Sequence, residues 1–137
     1  MKMKRIMVFV LSLLVLAGFA ASHSGKIGYE SISMGEGMKL YKSRPDRILA
    51  DVRNREEYED GHIPGAASIP LASIGTKDPS LLKSKEQLIL ACCRSGERSK
   101  QDAEKLAALG YSNVKETGGI NSWEGPLVTG NQPGNRL

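Results

Sequence analysis

The longest unbroken apolar stretch lies at the start of the chain, from Ile6 to Phe19, with Ser12 as its one polar residue. Lys2, Lys4 and Arg5 precede it, and the small residues Gly18, Ala20, Ala21 and Ser22 close it. A basic end, a short apolar run and a small-residue exit predict a signal peptide over residues 1–21, with an uncleaved N-terminal anchor as the alternative. The run is short of the ~20 apolar residues a spanning helix needs. Beyond it the pattern alternates between short apolar runs and helical spacing. Ile27 to Ile32 suits a short strand. Ser33 stands three residues before Glu36, a capping-box spacing that opens a helix over Met34 to Tyr41, with Met34, Met38 and Tyr41 on one face despite Gly35 and Gly37. Arg47 to Val52 reads as a buried strand, Glu56 to Asp60 as one helical turn, Gly61 to Gly65 as a turn, and Ala66 to Ile69 as a strand stopped by Pro70. Leu71 to Leu82 gives no assignment, because Gly75 and Pro79 interrupt it. Gln87 to Cys92 is the strongest strand and is expected at the sheet centre. Ser99 to Leu109 is the strongest helix, with Ala103, Leu106, Ala107 and Leu109 or Gly110 along one side and Gly110 as its stop. Tyr111 to Glu116 follows as a strand broken by Gly118-Gly119, and Ile120 to Glu124 as a turn of helix. Strands alternating with helices predict an α/β domain over residues 27–130, followed by a polar tail, 131–137, whose last few residues are expected to fray. In such sheets, sites form at the carboxyl ends of the strands.

Charge narrows the partners. The 137 residues, one domain's worth, carry a formal charge of +4. Three of the 19 Lys and Arg sit in residues 1–21, leaving 16 against 15 Asp and Glu, or +1. Bulk-charge attraction to nucleic acid is therefore excluded. The two cysteines, Cys92 and Cys93, are adjacent, and a bridge between neighbours is strained and removes almost no chain entropy. In an exported chain this leaves a thiol whose reactivity needs an account.

That account comes from the segment Cys93-Arg94-Ser95-Gly96-Glu97-Arg98-Ser99, which joins the strongest strand to the strongest helix. The thiolate is the reactive form of Cys. A helix N-terminus favours negative charge, Gly96 lets the loop curl its N–H groups inward, and Arg94 and Arg98 add positive charge. The same features suit an anionic substrate. An inert, buried thiol is the competing reading, and it fits Cys92, which belongs to the strand.

This segment resembles the active-site loop of the rhodanese family, with Cys first and Arg sixth. Upstream, Asp51-Val52-Arg53, Glu57-Tyr58 and Gly61-His62-Ile63-Pro64-Gly65-Ala66 are similar to the family's N-terminal signature; downstream, Gly118-Gly119-Ile120 with Trp123 is similar to its closing motif. The resemblance spans about residues 47 to 126. It implies a five-stranded parallel sheet flanked by helices on both faces, and transfer of sulfane sulfur from thiosulfate or a persulfide donor to cyanide or a thiol through a Cys93 persulfide. In that reading Ser95, Gly96, Glu97 and Ser99 shape the loop that holds the substrate, Arg98 ties the loop together, and Arg94 contacts the donor anion. No metal or cofactor is needed, and the expected product of leader removal is a periplasmic or secreted monomer that binds neither membrane nor nucleic acid. Asp51 and Arg53 are expected as a structural pair, His62 as a hydrogen-bonded residue of the turn, and Trp123 as core. Two rivals differ in class. Counted from Cys92, five residues precede Arg98, the spacing of Cys-dependent phosphatases. A non-catalytic, partner-binding rhodanese module is the other, against which Cys93 and both arginines argue. A redox pair of Cys92 and Cys93 is disfavoured by the strain between neighbours.

Overall fold

The computed structural model describes residues 28–75 and 79–137. The leader, Ile27 and His23 lie outside the described residues. Five strands, β1 (Tyr29–Ser31), β2 (Arg47–Asp51), β3 (Ala67–Ser68), β4 (Leu88–Cys93) and β5 (Val114–Gly119), form one parallel sheet in the order β1-β5-β4-β2-β3. Three α-helices cover it: α1 (Met34–Ser43), α2 (Arg55–Asp60) and α3 (Glu97–Ala108). Short 3-10 turns stand at Leu71–Ser73 and Ile120–Ser122. Among the described residues no helix is long and apolar enough to cross a membrane.

β4 is the central strand, and all six of its residues are buried. Its side chains alternate between two cores, as the strand period of two requires. Ile89, Ala91 and Cys93 pack with Ala103 and Leu106 of α3. Leu88, Leu90 and Cys92 pack with Met34, Met38 and Tyr41 of α1 and Tyr58 of α2. Helices thus lie on both faces. The two neighbouring cysteines consequently point to opposite sides of the sheet.

Capping decides where the helices start. Ser33 and Glu36 cap one another's backbone N–H groups at the head of α1. Asn54 and Glu57 do the same for α2, a capping box with Asn in the place of Ser. Three of the boundaries that differ from the sequence pattern shape the site. β4 runs on through Cys93, because Cys93 pairs with Gly119 across a bulge. α3 begins at Glu97 rather than Ser99, since Gly96 caps it with φ +110°. β5 continues through Gly118-Gly119 instead of stopping before them.

The C-terminal segment is tied to the domain. His62 and Val128 form an antiparallel bridge, the Gly65 N–H donates to the Pro133 carbonyl, and His62 Nε2 lies 2.9 Å from the Gln132 carbonyl. His62 itself is fully buried, stacked on Tyr58, with Nδ1 2.9 Å from the Tyr58 carbonyl. Trp123, expected in the core, is only half-buried; it lies at the edge of the α1-side core and donates from Nε1 to the Pro126 carbonyl.

The inner face of α3 holds a residue the apolar pattern passes over. Asp102 is fully buried beside Ala103 and Leu106, and neither carboxylate oxygen has a hydrogen-bond partner. Burial pushes its carboxyl up to about 8. The folded state therefore keeps a proton that the unfolded chain releases near pH 4. Asp102's contribution to stability is therefore greatest below that value and declines as pH rises toward 8. Asp102→Ala is expected to stabilise the domain by about 1–3 kcal/mol at neutral pH and to flatten this decline. Urea unfolding at acidic and mildly alkaline pH checks both; an unchanged slope with pH contradicts the assignment.

Candidate active site

The carboxyl end of the central strand delivers Cys93 to a loop enclosed by α3 and the end of β5. Its Sγ accepts a hydrogen bond from the Gly96 N–H at 2.9 Å, and its thiol lies 3.4 Å from Ser99 Oγ. Gly96 reaches this position through its positive φ, which a side chain would strain. The loop is also braced from β5. A Cβ on Gly119 would stand 1.8 Å from the Arg94 carbonyl oxygen, so only Gly lets the two segments meet, and the Asn121 N–H donates to that same carbonyl. The Gly-Gly pair thus seats the loop rather than merely ending a strand.

Behind the sulfur sits a buried polar cluster. Ser99 Oγ lies 2.8 Å from Glu116 Oε1, 2.9 Å from the Gly96 carbonyl and 3.4 Å from the Gly118 carbonyl. Glu116 Oε1 also accepts from the Gly118 N–H at 2.6 Å. Ser99 and Glu116 are both buried.

The two arginines converge on one carboxylate. Arg98 donates from both terminal nitrogens to Glu57 of α2, at 2.6 and 2.9 Å, and Arg94 stands 3.4 Å from the same group. Arg98's two hydrogen bonds, aided by the Asn54 N–H and the charge of Arg94, hold the Glu57 carboxyl at about 2. Arg98 therefore joins the loop to α2. Arg94 is exposed and borders an open cavity of about 230 Å³ together with Arg53, Glu57 and Asn121. Ser95 and Glu97 face solvent.

On the opposite face of the sheet, Cys92 is enclosed by the α1-side core, and burial, followed by the nearby Asp51 carboxylate, pushes its thiol well above the usual range. Asp51 and Arg53 form a buried ion pair at 2.7 Å beneath it. The two cysteines are free.

A family model described as "Rhodanese-like domain" matches residues 36–126, which is most of the chain. The chain belongs to the rhodanese-like family. Thiosulfate sulfurtransferase PspE of Escherichia coli is 32% identical over 80 residues, covering 58% of this chain and 77% of that protein. Thiosulfate sulfurtransferase GlpE of Coxiella burnetii is 33% identical over 97 residues, covering 70% of this chain and 88% of the relative. A solved structure described as a rhodanese with anions from E. coli superposes with a TM-score of 0.57 at 31% identity, covering 61% of this chain and 99% of the other. The fold expected from the sequence is the fold these neighbours share.

The rhodanese-like domain brings Cys93, Gly96 and Ser99 together, leaves Ser95 and Glu97 at the surface, and adds two residues that the sequence pattern did not mark as belonging to the site. Glu57 belongs to the upstream signature but gave no sign that it would meet Arg98, 41 positions away. Glu116 shares the α3-facing side of β5 with Val114, two residues before it; a carboxylate at such an inward position was the available signal.

Proposed function

We propose that this rhodanese-like domain is a sulfurtransferase that carries sulfane sulfur on Cys93, taking it from a small anionic donor such as thiosulfate. The observation that carries the reading is the Cys93 Sγ held at 2.9 Å from the Gly96 N–H, beside a helix N-terminus and two arginines. An N–H donor and the helix dipole both favour an anionic sulfur, and so a thiolate or a persulfide. The thiolate attacks the outer sulfur of thiosulfate. A bond forms between the two sulfurs, the bond inside the donor breaks, and sulfite leaves with its electron pair. Cyanide or a thiol then attacks the outer sulfur of the persulfide, and the electron pair of the broken bond returns to Cys93 as thiolate. Splitting the transfer in two is covalent catalysis, and the loop N–H steadies the charge in each step. Arg94, the more exposed arginine, is the one suited to meet the donor; Arg98 and Glu57 fix the loop against α2.

Cys92 is poorly placed for the phosphatase alternative, since its thiol is enclosed in the opposite core and held protonated by burial. The basic and apolar start of the chain supports work in the periplasm or outside the cell.

Incubation with thiosulfate, removal of excess donor and mass analysis of the peptides test the reading. One extra sulfur atom is expected on Cys93, removable by cyanide. An unmodified Cys93, or sulfur found on Cys92, overturns it.

A further inference from the structure

We propose that Cys93, Ser99 and Glu116 form a proton relay that creates the reactive thiolate without adding charge to the buried site. The inference rests on the sulfur-transfer reading for its purpose, but its chemistry concerns the thiol alone.

The three groups lie in line. The Cys93 thiol is 3.4 Å from Ser99 Oγ, and Ser99 Oγ is 2.8 Å from Glu116 Oε1. In the resting arrangement the thiol donates to the Ser99 hydroxyl, which donates to the Glu116 carboxylate. On activation the Ser99 proton passes to Glu116 and the thiol proton passes to Ser99. Sulfur is left as thiolate, accepting from the Ser99 hydroxyl and the Gly96 N–H, while Glu116 is protonated. One S–H bond is broken, one O–H bond is made on Glu116, and no electron changes oxidation level. The site holds one negative charge before and after.

That conservation answers the electrostatic objection to a carboxylate near a thiolate. Two anions in one buried cluster repel, so a lone deprotonation of Cys93 beside an ionised Glu116 is unfavourable. Moving the proton along the relay relocates the charge toward the loop N–H instead. Ser99, which touches the reacting sulfur, is the catalytic member. Glu116 is a positioning residue that acts through it.

Other charged groups surround the pair. Arg98 of α3 acts on Cys93 through its charge, and it is paired with Glu57 of α2, which also meets Arg94. Asp51, Arg53 and Asp102 act on the neighbouring Cys92. β1 presents Ser31 opposite Glu116, and its Glu30 is paired with Lys115. Glu97 and Lys100 of α3 face solvent. Asp102, whose carboxyl is pushed up to about 8, titrates within the useful range, so Asp102→Asn serves as a control.

The rate at which iodoacetamide alkylates Cys93, located by peptide mass, is measured on the full chain from about pH 5.5 to about pH 9. The wild type is expected to be nearly level through the neutral range. In Glu116→Gln the thiol must lose its proton to solvent, so the rate climbs by about tenfold per pH unit, and the deficit of at least about tenfold near pH 6 closes at high pH. Gln keeps an oxygen for the Gly118 N–H, so the turn survives. Ser99→Ala is expected to give the same sloped profile. A merely structural role for Glu116 lowers the rate by one factor at every pH, and that result, an unchanged rate, or a wild-type profile in Ser99→Ala overturns the relay. The expected profiles combined with failure of the wild type to take sulfur from thiosulfate overturn the proposed function and leave the relay standing.

Discussion

Replacing Cys93 by Ser is expected to reduce thiocyanate formation from thiosulfate and cyanide by on the order of 10³ or more, to background, whereas Cys92→Ala retains it. The two positions differ by one residue and by everything that matters to a thiol. Cys93 meets the Gly96 N–H and Ser99 on the α3 side of the sheet. Cys92 lies in the core on the α1 side, with Met34, Tyr41 and Leu90, beside the buried Asp51–Arg53 pair. A hydroxyl at position 93 is a far weaker sulfur nucleophile and forms no persulfide, so little turnover can remain. Truncating Cys92 leaves a small void that costs about 1 kcal/mol of stability and does not touch the reacting sulfur. Thiocyanate assays on the two purified variants check the pair. Activity retained in Cys93→Ser and lost in Cys92→Ala would reverse the assignment and reopen the longer loop spacing to Arg98.

The sequence pattern separated these cysteines by ending the strand at Cys92 and opening the loop at Cys93, whereas β4 runs through Cys93 and the strand period does the separating. The run Leu88 to Cys93 is apolar throughout, and adjacent side chains in a strand face opposite ways. Capping chemistry likewise placed α1, because Ser33 and Glu36 are close in sequence and satisfy each other locally. The asparagine version at Asn54 passed unread, although it obeys the same geometry. What sequence could not deliver is pairing over distance. Glu57 meets Arg98 only because α2 and the head of α3 emerge at the same end of the sheet. Glu116 reaches Ser99 only because β5 lies beside β4 in register, Ala91 opposite Glu116. Gly118-Gly119 looked like a strand breaker from propensity alone. Its purpose, close approach to the Arg94 carbonyl, depends on a contact between segments 25 residues apart. Trp123, expected in the core, packs only against its edge, where its N–H finds the Pro126 carbonyl.

Arg53→Ala is expected to destabilise the domain by about 3–5 kcal/mol, the largest loss of stability from any single polar contact described above. Asp51 and Arg53 are 1% and 4% exposed, so neither charge can turn to water when the other is removed. Arg53 gives Asp51 three side-chain hydrogen bonds at 2.7 to 3.2 Å, and its Nη2 also donates to the Gly61 carbonyl at 2.7 Å. Removing the guanidinium strands a buried carboxylate and an unsatisfied carbonyl at once. The cost is mostly that of the stranded charge, so the double variant Asp51→Ala/Arg53→Ala is expected to lose less than the sum of the two single variants. Urea unfolding of the three proteins measures this coupling. A loss below about 1 kcal/mol in Arg53→Ala would mean that water reaches Asp51 and that the pair is not closed. The pair also bears on the site without touching it. Asp51 lies opposite Cys92 in the sheet, and the Gly61 bond anchors the turn that leads from α2 into His62. Breaking it loosens the strand end beside Cys92 and the turn that follows the helix presenting Glu57 to Arg98. Activity in Arg53→Ala should therefore fall with rising temperature well before it falls in the wild type, while Cys93 keeps its capacity to take up sulfur in the cold.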